Sequence, residues 1–213
     1  MKNRIDVFLE LFREELPDYL LKLEKDAISK NVPILGHTTA DILRFYLRSL
    51  HVKNVLEIGT AVGYSALFMR ECANDLFITT IEKIDQRYEE ALSNFNKYDK
   101  DSRITPIKAD AMDAIVSLKK EEKRFQLIFL DAAKGQYSAY LPILIDLMEE
   151  GGVLIADNIF HNGAVVESRY AVTQRDRTIH DRLREFLKDI TEHEKLDTLI
   201  LPVEDGVAIC QKK

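Results

Sequence analysis

From Val52 onward, short apolar runs alternate with stretches whose apolar residues recur every three or four positions, the pattern of strand, helix, strand, helix. The runs are Asn54-Val-Leu-Glu-Ile58, Phe77-Ile-Thr-Thr-Ile81, Arg103-Ile-Thr-Pro-Ile107, Phe125-Gln-Leu-Ile-Phe-Leu130 and Gly152-Val-Leu-Ile-Ala156. They mostly lack the polar/apolar alternation of half-exposed strands, so they predict a parallel α/β sheet with helices on both faces. The helices are read from stripes such as Tyr88, Ala91, Leu92, Phe95 and Ile179, Leu183, Phe186, Leu187, Ile190. Pro106 removes a ladder donor from the third run and so places that strand at an edge. Between residues 196–203 and 207–211, Glu204-Asp205-Gly206 predicts a turn, so the sheet is expected to finish as an antiparallel hairpin. The first fifty residues read as helices broken near Pro17 and Pro33, a cap over the sheet's edge or over a site. Residues 158–175 read as a substrate loop. No linker or repeat interrupts the pattern, so residues 1–213 are expected to form one domain.

Composition removes several classes of function. With 46% apolar and 31% charged residues, the chain is neither disordered nor fibrous. Its formal charge of −6 provides no global field that would draw it onto nucleic acid or anionic lipid, so any RNA contact must be local. Cys72 and Cys210 have no spacing that suggests a zinc site or disulfide framework; they read as small core residues in a reducing cytoplasm. No apolar stretch approaches the ~18 residues of a membrane span, and acids throughout residues 1–18 argue against a signal peptide. The expected location is cytoplasmic, away from membranes.

Each of the five runs ends at or beside a carboxylate: Glu57, Glu82, Asp110, Asp131 and Asp157. A single strand-end acid is as readily a solvated residue or a helix N-cap. Five of them are different, because ligands of open α/β sheets bind beyond the carboxyl ends of the strands. A crevice rimmed by carboxylates repels pyrophosphate and attracts hydroxyls, ammonium groups and cations. The loop after the first run is Glu57-Ile-Gly59-Thr-Ala-Val-Gly63-Tyr-Ser65, not the G-x-G-x-x-G of dinucleotide folds, and Glu57 puts negative charge where a pyrophosphate would lie. Glu82, one strand later, can accept both hydroxyls of a ribose. A ligand with a ribose, a base, an ammonium group and no phosphate is S-adenosylmethionine. An NAD-dependent oxidoreductase is the rival from another class, opposed by the same loop, and a non-catalytic nucleotide-binding module is a third.

Taken together, Val-Leu-Glu57-Ile-Gly59-Thr-Ala-Val-Gly63-Tyr64-Ser65, Ile-Glu82, Asp110-Ala111, Asp131-Ala-Ala-Lys134-Gly-Gln-Tyr137 and Asp157-Asn158 resemble the cation-dependent O-methyltransferases, the family of the catechol and caffeoyl-CoA enzymes, over residues 30–211. Asn31-Val-Pro-Ile, the Asp131 to Tyr137 segment and Leu201-Pro-Val-Glu-Asp205-Gly206 are similar to the bacterial tRNA 5-hydroxyuridine methyltransferases. The resemblance implies a Rossmann-like class I methyltransferase of strand order 3-2-1-4-5-7-6 with the last strand antiparallel. It also implies that Glu57, Gly59 and Ser65 hold the methionine part of the cofactor, with Asp131 beside it, that Glu82 holds the ribose, and that Asp110 with Ala111 holds the adenine. Relatives are commonly homodimers.

Asp131 and Asp157 close the fourth and fifth strands; neighbouring strands lie about 4.8 Å apart, so both carboxylates can reach one ion. Asn158 adds a neutral oxygen, and an all-oxygen set suits Mg²⁺, Mn²⁺ or Ca²⁺. Asp157-Asn158 would equally make a plain turn. A chelating ion requires an acceptor whose reacting hydroxyl has a second oxygen beside it. Lys134 is the candidate proton acceptor, expected neutral beside a divalent cation; without that motif it reads as a surface lysine. Ala132 and Ala133 precede it where the catechol enzymes carry bulky side chains, and the chain has no tryptophan. A small ring would be gripped poorly there. A base splayed from a tRNA anticodon loop, with its 5-hydroxyl beside the 4-carbonyl, fits the opening. The alternative acceptor is a catechol or caffeoyl-type phenol. Arg169, Arg175, Arg177, Arg182, Arg184 and Lys188 give the segment after Asn158 a mild basic excess, readable as an RNA contact or as a solvated face, and His161 and Tyr170 are candidates to line the pocket.

Overall fold

The computed structural model describes residues 4–213; positions 1–3 of the expected cap lie outside the described residues. Helices α1 (Arg4–Leu9), α2 (Asp18–Ser29) and α3 (His37–Ser49) precede an alternating series of strands and helices. That series runs β1 (Asn54–Ile58), α4 (Tyr64–Cys72), β2 (Phe77–Glu82), α5 (Asp85–Tyr98), β3 (Ile104–Lys108), α6 (Ala111–Lys120), β4 (Phe125–Leu130), α7 (Tyr137–Leu147) and β5 (Met148–Asp157). Helix α8 (Arg177–Glu192) then leads into the hairpin β6 (Leu196–Leu201) and β7 (Val207–Lys212).

The seven strands form one sheet of order β3-β2-β1-β4-β5-β7-β6. The first five are parallel, and β7 runs antiparallel to both β5 and β6. Pro106 does lie on the edge strand β3, opposite Thr80. Because successive side chains point to opposite faces, each central strand feeds two cores. Leu127 and Phe129 of β4 pack with α2, α3 and α4 on one face, while Ile128 and Leu130 pack with α6, α7 and α8 on the other. This double burial is why the runs are apolar without alternation.

Two boundaries differ from the sequence reading by more than one residue. Strand β5 begins at Met148, not Gly152, because Met148 pairs with Phe125 ahead of a register shift, with Gly151 at φ +74°. The polar stretch Glu149-Glu150-Gly151-Gly152 hides that beginning. Strand β6 stops at Leu201 because Pro202 has no N–H to donate.

Candidate active site

At the end of β1 the chain turns through Gly59 (φ +107°), where a Cβ would lie 2.0 Å from the carbonyl oxygen of Asp131. The loops after β1 and β4 are therefore in backbone contact, which only glycine permits. Just before the turn, Glu57 is fully buried. Its Oε2 accepts the hydroxyl of Thr80, while its Oε1 accepts no hydrogen bond. Burial pushes the Glu57 carboxyl up to about 7; Ser65 and Thr80 pull the other way, and the charges of Asp131 and Glu82 raise it further. A buried carboxylate oxygen without a donor is costly, and an ammonium ligand is what relieves it.

Glu82 is aimed by three backbone amides: Oε2 accepts from Ala61 (3.0 Å), and Oε1 accepts from Lys83 (2.9 Å) and Ile84 (2.9 Å). Its oxygens keep lone pairs for further donors such as ribose hydroxyls. Asp110 is the N-cap of α6, accepting from the amide of Met112 at 3.0 Å. The cap and the expected adenine contact thus fall on one residue.

Beyond the strand ends lies a cavity of about 600 Å³ lined by Gly59, Glu82, Asp110, Ala111, Asp131, Lys134 and Asn158, among others. Ser65 lines a smaller recess that shares Gly59, Ala61 and Asp131 with it. Glu57 and Asp157 stand behind these walls and do not line the cavity. Four of the five acids nevertheless interact, Glu57 with Asp131 and Glu82 and Asp157 with Asp131, and Asp110 shares the cavity lining with Glu82 and Asp131.

At the β4 and β5 ends, Lys134 Nζ is held by Asp131 Oδ1 (2.6 Å), the Tyr137 hydroxyl (3.0 Å), the carbonyl of Asp157 (3.2 Å) and Asn158 Oδ1 (3.3 Å). Burial works to lower the lysine's pKa, but the negative groups around it outweigh burial and hold it above its ordinary value. Asp157 is almost fully buried; its Oδ1 accepts from the Asn158 amide (2.8 Å), with the Thr39 hydroxyl at 3.4 Å. Burial and then the charge of Asp131 raise the Asp157 carboxyl to about 7.

Among the described residues no three His, Cys, Asp or Glu side chains converge on a point that could hold a metal. The candidate set is two carboxylates and an amide oxygen, a chemistry that suits a hard cation. The Asp131 carboxylate, the Asn158 amide oxygen and the backbone carbonyl of Asp157 gather around Lys134 Nζ, so this corner of the site accommodates positive charge, while the Asp157 carboxylate is turned to the Asn158 amide.

Several residues of the site were not singled out as site residues in the sequence, although Pro33, Ile34, Tyr137 and Asp205 lie within the quoted motifs. Thr80 and Thr60 lie against the Glu57 side, Thr39 contacts Asp157, and Tyr137 supports Lys134. Pro33 and Ile34, from the link between α2 and α3, line the cavity, as do Asn162 and Asp205. His161 lines it as expected, with Nε2 3.7 Å from Asp176. Tyr170 does not: it is 86% exposed. The arginines after Asn158 are mostly engaged within the chain, Arg169 with Asp181 (2.8 Å), Arg182 with the Gly135 carbonyl (2.8 Å) and Arg184 with the Val165 carbonyl (3.1 Å). Cys72 and Cys210 are buried, and burial lifts both thiols to about 11.

Residues 13–213 match the O-methyltransferase family. A caffeoyl-CoA O-methyltransferase of Medicago sativa is 32% identical over 183 residues, covering 82% of this chain and 74% of the relative. Caffeoyl-CoA O-methyltransferase 5 of Nicotiana tabacum is 29% identical over 200 residues, covering 90% and 83%. Among solved structures, a methyltransferase of Podospora anserina with bound S-adenosylhomocysteine superposes with a TM-score of 0.86 at 27% identity, covering 99% of this chain and 94% of that one.

Proposed function

The chain belongs to the O-methyltransferase family and is an S-adenosylmethionine-dependent enzyme, and from that premise we propose that its acceptor is 5-hydroxyuridine in a tRNA anticodon loop, methylated to 5-methoxyuridine. One observation carries the choice of acceptor. The cavity beside Lys134 is walled by Ala132, Ala133, Asn158, His161, Asn162 and Asp205, which present hydrogen-bonding edges, while Tyr140, also in the lining, stands near Asp110. That suits a base held by its polar edge better than a bare phenol.

The candidate residues take the following roles. Glu57, with its unpaired oxygen, receives the ammonium of the methionine part, and Gly59 and Ser65 border that recess. Glu82 accepts the ribose hydroxyls, while Asp110 and Ala111 border the adenine. Asp131, Asp157 and Asn158 would hold a divalent ion, Mg²⁺ or else Mn²⁺ or Ca²⁺. When bound, the ion lowers the pKa of the acceptor hydroxyl and the donor supplies a sulfonium methyl group. Lys134 Nζ, hydrogen-bonded to Asp131 and Tyr137, is the group that would take the proton of the acceptor hydroxyl. It does so as the amine, which requires that the charge of Asp131 be compensated by something other than the lysine itself. Walls that exclude water favour the step, because oxyanion and sulfonium neutralise one another.

The second reading is a catechol or caffeoyl-type phenol as acceptor, supported by the names of the curated relatives. Nucleoside mass spectrometry of tRNA from cells lacking the gene separates the two. Loss of 5-methoxyuridine-type nucleosides with 5-hydroxyuridine accumulating supports the tRNA acceptor; an unchanged profile together with turnover of caffeoyl-CoA in vitro rejects it. We also propose a homodimer, supported by the large exposed side chains Ile5, Val7, Phe8, Leu9, Leu11 and Phe12 crowded at one end of the chain.

A further inference from the structure

The segment Asn158 to Gly163 is unusual in its backbone. Asn158 (φ 54°), His161 (φ 49°) and Asn162 (φ 54°) are all left-handed, as is Gly163 (φ 78°). Non-glycine residues enter that region infrequently, asparagine and histidine most readily, and three of them within five positions are held there by their surroundings. Here the surroundings are the β6–β7 turn. The Ile159 amide donates to the carbonyl of Gly206 (3.1 Å), and the Phe160 amide donates to the carbonyl of Asp205 (2.9 Å). The Asn162 amide donates to the side-chain Oδ1 of Asp205 (2.7 Å). Gly206 (φ +85°) leaves space for the Phe160 ring, which a Cβ would meet at 2.4 Å.

The turn is itself anchored. Glu204 accepts from the Thr38 amide (2.8 Å) and the Thr39 hydroxyl (2.8 Å), fastening the turn to the start of α3. Asp205 therefore stands on a fixed base and holds the far end of a strained loop. That loop carries Asn158, His161 and Asn162, three walls of the cavity next to Lys134, which Asp205 itself also lines.

We propose that Asp205 is a positioning residue for the acceptor: its carboxylate holds the Asn162 amide, and through it the left-handed run that sets the acceptor wall. The claim rests on the functional reading above for what the wall binds, while the geometry of the brace is independent of that reading. The cofactor half, built on Gly59 and Glu82 across the cavity, does not depend on Asp205.

The test compares the wild-type chain with Asp205→Ala and Asp205→Asn. In Asp205→Ala the lost charge-assisted bond is expected to raise the acceptor KM by about tenfold or more and to speed hydrogen exchange of the 159–162 amides by a similar factor. Binding of S-adenosylhomocysteine, followed by calorimetry, should stay within about twofold. Asp205→Asn keeps an acceptor oxygen and should restore both readings. The acceptor assay uses tRNA carrying 5-hydroxyuridine, and caffeoyl-CoA, each with Mg²⁺. If the wild type methylates neither, the functional reading fails and hydrogen exchange alone decides the brace. Unchanged KM and exchange in Asp205→Ala, a parallel loss of S-adenosylhomocysteine binding, or failure of Asn to rescue each overturn the proposal. Asp205→Ser repeats the test should the alanine chain not fold; failure of both to fold also overturns it, by making Asp205 a folding residue.

Discussion

Lys134 Nζ lies 2.6 Å from Asp131 Oδ1, three residues earlier in the chain, with the Tyr137 hydroxyl on its other side at 3.0 Å. The pair links a candidate base to a candidate metal ligand, so removing either partner leaves a different defect. In Lys134→Met the proton acceptor is gone while the cofactor walls stand. The turnover number is expected to fall by about 10²–10⁴-fold, the usual worth of a general base. Affinity for S-adenosylhomocysteine should change little. Equal losses in both quantities would show that Lys134 serves structure instead.

Metal removal tests the other partner. Chelation with EDTA is expected to abolish methyl transfer by the wild-type enzyme, and added Mg²⁺ or Mn²⁺ to restore it. In Asp131→Ala and Asp157→Asn restoration should fail or require far more metal. Full activity in EDTA would dismiss the divalent ion from the reaction.

The buried carboxyls of Glu57 and Asp157 make stability fall with rising pH. Each is raised to about 7 in the folded chain, from ordinary values of 4.5 and 3.8. Between those limits the unfolded chain has already released the proton that the folded chain keeps, so the folded state loses ground as pH climbs, and the loss is complete above about 7. In a chain of this size each kcal/mol is worth about 2–4 °C in Tm. Calorimetric scans of the ligand-free protein should show Tm falling by several degrees between pH 5 and pH 8, with a shallower slope in Glu57→Gln. A positively charged donor favours ionised Glu57, so its binding should tighten over the same range and release a proton.

Gly59→Ala forces a side chain into a φ of +107° and drives its Cβ to 2.0 Å from the Asp131 carbonyl. Either the β1 or the β4 loop must move. Urea denaturation is expected to show a loss of more than about 2 kcal/mol, beyond the cost of an ordinary surface substitution. S-adenosylhomocysteine binding should be lost along with it. A variant of native stability and affinity would mean that the two loops are not held in contact.

Phe12→Glu places charge on a side chain that is 70% exposed beside Phe8. If this apolar end joins two copies, light scattering should report a dimer for the wild type and a monomer for the variant. A wild-type monomer would remove the dimer from the proposal.

How far the chain could be read before its fold was known depended on the range of the interaction involved. The five strand runs, the edge position of Pro106 and the Asp205-Gly206 turn were legible because burial on two faces, a missing donor and a tight turn each leave a mark within a few residues. So were the acids at the strand ends, since topology alone carries strand termini to one side of a parallel sheet. The start of β5 was not legible, because pairing with Phe125 is a contact between distant residues and its own polar residues argue against a strand.

The sequence alone determined the strands, their shared rim of carboxylates and the family to which they belong, because these follow from local periodicity and from motifs a few residues long. Only the tertiary structure decided that Glu57 keeps an unpaired oxygen, that Lys134 is held by Asp131 and Tyr137, that Thr39 reaches Asp157, and that Asp205 holds the Asn162 amide. Those facts depend on burial and on partners many positions away in the chain. Desolvation and hydrogen bonding act through space, and no spacing within a motif records them.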